Sequence, residues 1–239
     1  NHTSITAGID LGRVEPATVA IVSKNGQRIA DYTVSGRIKQ LNSKRERILA
    51  EKKHIYQKAD QYDKLGISST KLRTEAKRKG NKARILAHQV SLQVASDVVK
   101  KLEKHQVSIL NLENLKWVTG KRYGSKWTHS QQQQALEHTC ARVGIHSRKI
   151  SPKDTSQKCY KCGCRIIHNS KHRTVWCAEC KLTMDRDFNA AMNIAKYSFP
   201  NRYSRIGDVC SSIEQGIEQE IVQENSLQKD ACRNTRMLT

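Results

Sequence analysis

Apolar and polar positions follow two rhythms along this chain of 239 residues, and the changes of rhythm mark its elements. Ile5–Asp10 is a short apolar run, and Thr18–Val22 is rich in β-branched residues, so both predict strands. Asn25-Gly26, two residues that tolerate positive φ, predict a hairpin into a third strand over Arg28–Ser35. From Gly36 the spacing lengthens, with Ile38, Leu41, Ile48, Leu49 and Ile55 at near-helical intervals. This predicts a helix, a loop around Gly66 and a second helix within Gly36–Arg84. Leu86, Val90, Val94, Val98 and Leu102 then form the stripe of a further amphipathic helix over Ile85–His105. Val107–Glu113 is the most apolar strand, followed by a helix over Gln131–Val143 and a strand over Gly144–Ile150. A compact helix is expected over Asp187–Tyr197. Beyond Ser198 the pattern dissolves into polar, weakly periodic sequence, and 198–239 is expected to be a disordered tail.

Strands, helices, a strand, a helix and a strand in this order predict an α/β fold, a mixed sheet flanked by helices. In open sheets of this class, ligands gather at the carboxyl edge of the parallel strands. Charge narrows the ligand. Lys plus Arg total 43 against 22 Asp plus Glu, a net charge of +21, which calls for a polyanion and for nucleic acid before membrane. The stretch 36–84 alone holds 16 basic residues against 5 acids, about half of the whole excess. Contacts from such a stretch go to phosphates and carry little sequence information. Trp117, Tyr123 and Trp127, set among Lys116, Lys121, Arg122 and Lys126, are placed to stack on bases of a single strand or to pack on the core. The longest apolar runs are too short to span a bilayer, and a reducing, cytoplasmic setting is expected.

Three acids occupy unusual positions in this scheme. Asp10 ends the first strand, Glu113 ends the most apolar strand, and Asp187 opens the last helix beside Asp185. A carboxylate turned inward from an apolar strand needs a partner or a metal, since an uncompensated buried charge costs several kcal/mol. Oxygen ligands suit Mg²⁺ or Mn²⁺, and two such ions about 3.5–4 Å apart would activate a water and stabilise the leaving oxygen of a phosphodiester. Each acid also has a plainer reading: a turn aspartate for Asp10, an exposed strand-end acid for Glu113, helix-start acids for Asp185 and Asp187.

Of eight cysteines, four form two Cys-x-x-Cys pairs, Cys159/Cys162 and Cys177/Cys180, with residues 163–176 between them. Two knuckles facing one ion make a closed Cys₄ site, hence a structural Zn²⁺. Cys164, His168 and His172 are possible substitute ligands left outside that shell, and Cys140, Cys210 and Cys232 are expected to be free thiols.

Four segments together, Gly-Ile-Asp10-Leu-Gly, Leu-Asn-Leu-Glu113-Asn-Leu, Thr155-Ser-Gln-Lys-Cys-Tyr-Lys-Cys-Gly and Asp185-Arg-Asp187-Phe-Asn-Ala-Ala-Met-Asn-Ile, resemble the carboxy-terminal half of the transposon-encoded TnpB nucleases and the type V CRISPR effector nucleases. The resemblance runs from about residue 5 to 196. It implies a RuvC-like nuclease domain of RNase H fold interrupted by a zinc ribbon. In that frame 1–154 is the nuclease core, with 36–84 its basic helical segment, 155–184 the ribbon and 185–197 the final helix. Asp10, Glu113 and Asp187 would be the ligands of two Mg²⁺ ions, with Asp185 a helix cap. The expected partners are guide RNA and target DNA, and the ribbon is expected to contact nucleic acid. The chain opens without methionine directly before a strand, so the family's guide-binding region is expected upstream of residue 1. The implied activity is Mg²⁺-dependent, RNA-guided DNA cleavage. Two other readings stay open: a cleavage-silent, guide-directed DNA binder and a structural zinc-ribbon nucleic-acid binder.

Overall fold

Apolar strands buried between two layers and helices with one apolar stripe build the core of the described residues. The computed structural model describes residues 5–12, 15–34, 36–115, 129–169 and 172–198. Its larger sheet holds β1 (Ile5–Asp10), β2 (Ala17–Val22), β3 (Arg28–Val34), β4 (Val107–Glu113) and β5 (His146–Ile150), in the order β3-β2-β1-β4-β5. The first three strands pair antiparallel, while β1/β4 and β4/β5 pair parallel. All six residues of β2 are buried, as expected of an interior strand covered on both sides. The hairpin between β2 and β3 is closed at Ser23 and Gln27 (Ser23 N to Gln27 O, 2.9 Å). Only Gly26 takes positive φ (74°), so Asn25 turns without leaving the ordinary region and the expected pair of left-handed residues reduces to one.

Helix α1 (Arg37–Lys64) and helix α2 (Thr70–Lys104) are joined through Gly66. Sequence spacing separates a basic helix from an amphipathic one at Ile85; the structure corrects this to a single helix of 35 residues. Charge density changes at that point, but Lys, Arg, Ala and Gln all favour helix, so backbone geometry does not change with it. Gly80, within α2, faces the side chain of Lys52 on α1, where a small residue suits the crossing. At about 1.5 Å per residue, α2 spans about 52 Å. Its Val90, Val94, Ala95, Val98, Val99 and Leu102 join the main core with Ala7, Ile9, Leu110 and Leu112. The earlier part packs on α1 through Ile48, Ala83 and Leu86. Arg73 bonds Asp60 (2.8 Å) and Asp63 (2.5 Å), and Lys79 bonds Glu51 (2.5 Å), which cross-link the two helices. These exposed pairs fix geometry more than they add stability. Most of the basic side chains of this pair, among them Lys44, Arg47, Lys53, Lys58, Lys71 and Lys77, are exposed.

Helix α3 (His129–Arg142) joins β4 to β5 and buries Leu136 and Cys140 in the same core. Helix α4 (Arg186–Ala195) covers the opposite face of the sheet. Residues up to Ser156, together with α4, make one compact unit, and Gln157–Met184 falls in a second. That second region is organised by β6 (Ile167–His168), β7 (Thr174–Cys177) and β8 (Leu182–Asp185), in the order β6-β7-β8. The segment bearing Trp117, Tyr123 and Trp127, the cysteines at 210 and 232 and the chain beyond Ser198 lie outside the described residues. No described helix is long and apolar enough to cross a membrane.

Candidate active site and metal centre

Alternation along β1 and β4 decides which way the acids point. Ala7, Ile9, Leu110 and Leu112 enter the core beneath α2. Gly8 and Asn111 therefore face α4, and so do Asp10 and Glu113, two residues further along each strand. Ile9 stands opposite Leu112 in the parallel register, so the two acids close adjacent strands at the same level. Thr18, the partner of Asp10 on β2, lies on the same face. Both acids are half-buried. Burial holds the Glu113 carboxyl above the ordinary carboxylate range, opposed by a hydrogen bond donated by the Thr155 hydroxyl to Oε1.

Helix α4 reaches this face because the sheet lets it come close. A methyl on Gly8 would lie 2.1 Å from Ala195 N and 2.4 Å from Ala191 O. The helix end is tied down by Asn111, which is fully buried inside an apolar strand. Its Nδ2 donates to Ile194 O (2.8 Å) in the last turn of the helix, while its Oδ1 accepts from Arg148 Nη2 (2.9 Å). At the other end Asp185 is the N-cap: its Oδ1 accepts from the backbone N–H of Asp187 and of Phe188, both at 2.9 Å. That capping bond leaves the neighbouring acid, Asp187, in the first turn, only 5 % exposed and with Arg186 Nε 3.5 Å from its Oδ1.

Asp10 and Glu113 are thus brought to one sheet edge and Asp187 to the helix on the same face. The three carboxylates do not draw all their ligand atoms within 4.8 Å of one another. Among the described residues, the set of three or more that does so is Cys159, Cys162, Cys177 and Cys180. Their sulfurs lie 4.0 Å apart for Cys159–Cys180 and 3.5 Å for Cys162–Cys177. Tetrahedral Zn–S bonds of about 2.3 Å require sulfurs about 3.8 Å apart, so the donor set fits the ion. Backbone N–H groups of Lys161 and Cys180 point at the sulfurs of Cys159 and Cys177 (3.4 and 3.5 Å), an arrangement that favours thiolates. Cys164, His168 and His172 are not part of the set. Cys140 is a free, buried thiol.

Two contacts around these residues were not legible in the sequence. Gln133 Nε2 donates to the Glu113 carbonyl (2.5 Å), and Asn193 Nδ2 donates to the Thr155 carbonyl (2.8 Å). One signal did exist: an asparagine within Val107–Glu113 has to find partners if it is buried.

Residues 129–194 match the family described as the Cas12f1-like TNB domain. A CRISPR-associated endodeoxyribonuclease Cas12f1 of an uncultured archaeon is 27% identical over 210 residues, covering 80% of this chain and 38% of that protein. A TnpB-like protein of Methanocaldococcus jannaschii is 31% identical over 100 residues, covering 42% of this chain and 36% of its own length. The chain spans less than half the length of these curated relatives. Among solved structures, a CRISPR-Cas12f ternary complex matches with a TM-score of 0.65 at 22% identity, over 82% of this chain and 39% of that one. A Cas12f1–sgRNA–target DNA complex matches with a TM-score of 0.57 at 22% identity, over 82% and 50% of the two chains. At that identity the structural likeness speaks for the fold. Strand order, cysteine cluster and sequence likeness therefore converge: the chain is a mixed-sheet α/β module carrying a four-cysteine cluster, and it resembles the TnpB-like and Cas12f1 nucleases.

Proposed function

We propose that this chain is the DNA-cleaving part of an RNA-guided nuclease, with guide RNA and target DNA as its partners in the cytoplasm. The observation that carries the proposal is the placing of Asp10 and Glu113 at matched ends of two adjacent parallel strands, on the face covered by the helix of Asp187. All three offer oxygen donors, the chemistry that suits Mg²⁺ or Mn²⁺. Held by these residues, two such ions would supply positive charge to the phosphodiester under attack. The rest belongs to the chain itself. Asp185 and Asn111 fasten the two ends of α4, Gly8 lets the helix approach, and the exposed Lys and Arg of α1 and α2 bind phosphates without regard to sequence. In this reading 1–154 is the nuclease core, 155–184 a zinc ribbon and 185–197 the last core helix. Guide pairing supplies the specificity.

The test uses the protein in its full natural length with its guide, matched DNA and Mg²⁺. Cleavage should require guide and match, stop with EDTA and return with added Mg²⁺. Guide-directed binding without cutting in any divalent metal would identify a cleavage-silent module instead. Binding that ignores the guide would leave a zinc-ribbon nucleic-acid binder.

The ribbon makes a separate prediction. The protein should carry one equivalent of zinc by elemental analysis, and Cys177→Ser should lose it. Metal binding supplies most of the folding free energy of so small a module, on the order of 10 kcal/mol in zinc-finger peptides, so amide exchange across 157–184 should become fast in the variant. A zinc-free Cys177→Ser protein with native protection in that stretch would refute the structural role.

A further inference from the structure

Glu113 is held at both ends, its main chain by regular elements and its carboxylate by a residue of an irregular segment. Its carbonyl is fixed by Gln133 of α3, whereas its carboxylate Oε1 accepts from Thr155 in the irregular segment after β5. Thr155 is 5 % exposed. Its hydroxyl also lies 3.0 Å from Pro152 O, so one proton faces two acceptors, and a carboxylate draws it more strongly than a neutral carbonyl. The backbone of the same residue is tied elsewhere: its carbonyl accepts from Asn193, on the helix whose first turn carries Asp187. One residue therefore meets the Glu113 carboxylate with its side chain and the Asp187 helix with its main chain.

We infer that Thr155 is a positioning residue for Glu113, its buried hydroxyl fixing one carboxylate oxygen so that the other is presented to a divalent ion. The inference rests on the reading of Glu113 as a metal ligand. A carboxylate at a strand end can rotate about its last torsion, and a donor on Oε1 removes that freedom. The anchoring of Thr155 to Asn193 transmits the position of α4 to the same carboxylate, so two acids from separate elements share one reference point.

The test is direct metal binding, read from the loss of the free Mn²⁺ paramagnetic resonance signal on titration of the zinc-loaded chain. Thr155→Val keeps the shape and removes the hydroxyl, while Thr155→Ser keeps the hydroxyl; Glu113→Gln is the reference. Loss of an outer partner of this kind costs 10–100-fold in affinity, so Thr155→Val should weaken Mn²⁺ binding by about 10-fold and Thr155→Ser should stay within about twofold of the wild type. Wild-type affinity in Thr155→Val, with Glu113→Gln impaired, would overturn the positioning role and leave Glu113 a ligand. Equal losses in the Val and Ser variants would also overturn it, because the hydroxyl would then not be the operative group. Unchanged binding in Glu113→Gln, or no Mn²⁺ uptake by the wild type, would remove the ligand reading and this inference with it.

Discussion

Asp10→Ala is expected to lower the single-turnover rate of guided DNA cleavage by a factor of 1,000 or more, which corresponds to about 4 kcal/mol of barrier. The side chain projects from the last residue of β1 toward the α4 face, and it is the only part of Asp10 the substitution removes. The backbone pairing with Thr18 does not depend on it. Folding and binding of guide and target, followed by melting and gel shift, should therefore stay near wild type while cutting fails. Asp185→Ala is the informative companion. Its carboxylate holds the N–H groups of Asp187 and Phe188, so its removal should cost about 1 kcal/mol of stability, the usual worth of a helix cap, with a far smaller loss of cleavage than Asp187→Asn. If Asp10→Ala retained a tenth of wild-type cleavage, or if Asp185→Ala were the more damaging of the two aspartate variants, the assignment of acids would be wrong.

Gly8→Ala carries the largest structural penalty we foresee. The added methyl would meet Ala195 N at 2.1 Å, Ala191 O at 2.4 Å and Ala195 Cα at 2.7 Å. These are backbone atoms of a helix, and no rotamer change moves them aside. The whole of α4 must lift from the sheet, which weakens the bonds from Asn111 to Ile194 and Ala195 and shifts the helix carrying Asp187. Overpacking a core typically costs 1–3 kcal/mol, and a clash with fixed backbone belongs at or above the top of that range, so we expect about 3 kcal/mol or more. For a unit of this size the melting temperature should fall by about 10 °C. Because the obstruction is main chain, a second substitution of Ala195 to Gly should not restore stability. A drop in melting temperature under about 2 °C, or full rescue by Ala195→Gly, would show that α4 does not sit where the structure puts it.

What the sequence made legible was whatever rests on local rhythm. The short apolar runs Ile5–Asp10 and Val107–Glu113 placed both strands, and the paired cysteines declared their own geometry. Contacts across long separations were hidden. Thr155 lies 42 residues from Glu113, and neither residue type announces the other. Gly8 reads as one small residue in a short strand until a helix more than 180 positions later is seen resting on it. The boundary drawn at Ile85 failed for the opposite reason: a change in charge looked like a change of element, although the backbone of α2 continues through it. The stripe from Leu86 to Leu102 was read correctly because burial, unlike charge, must keep helical period.

The amide of Asn111 has a direction. Its nitrogen gives to the end of α4 and its oxygen takes from Arg148, so the group cannot be turned over without losing both relations. A carboxylate has the same outline and no donor. Asn111→Asp, or slow deamidation at that site, would therefore set a negative charge against the negative end of the α4 dipole in the most buried part of the strand. A change of one atom in size and almost nothing in shape would turn the fastening of the helix into a repulsion.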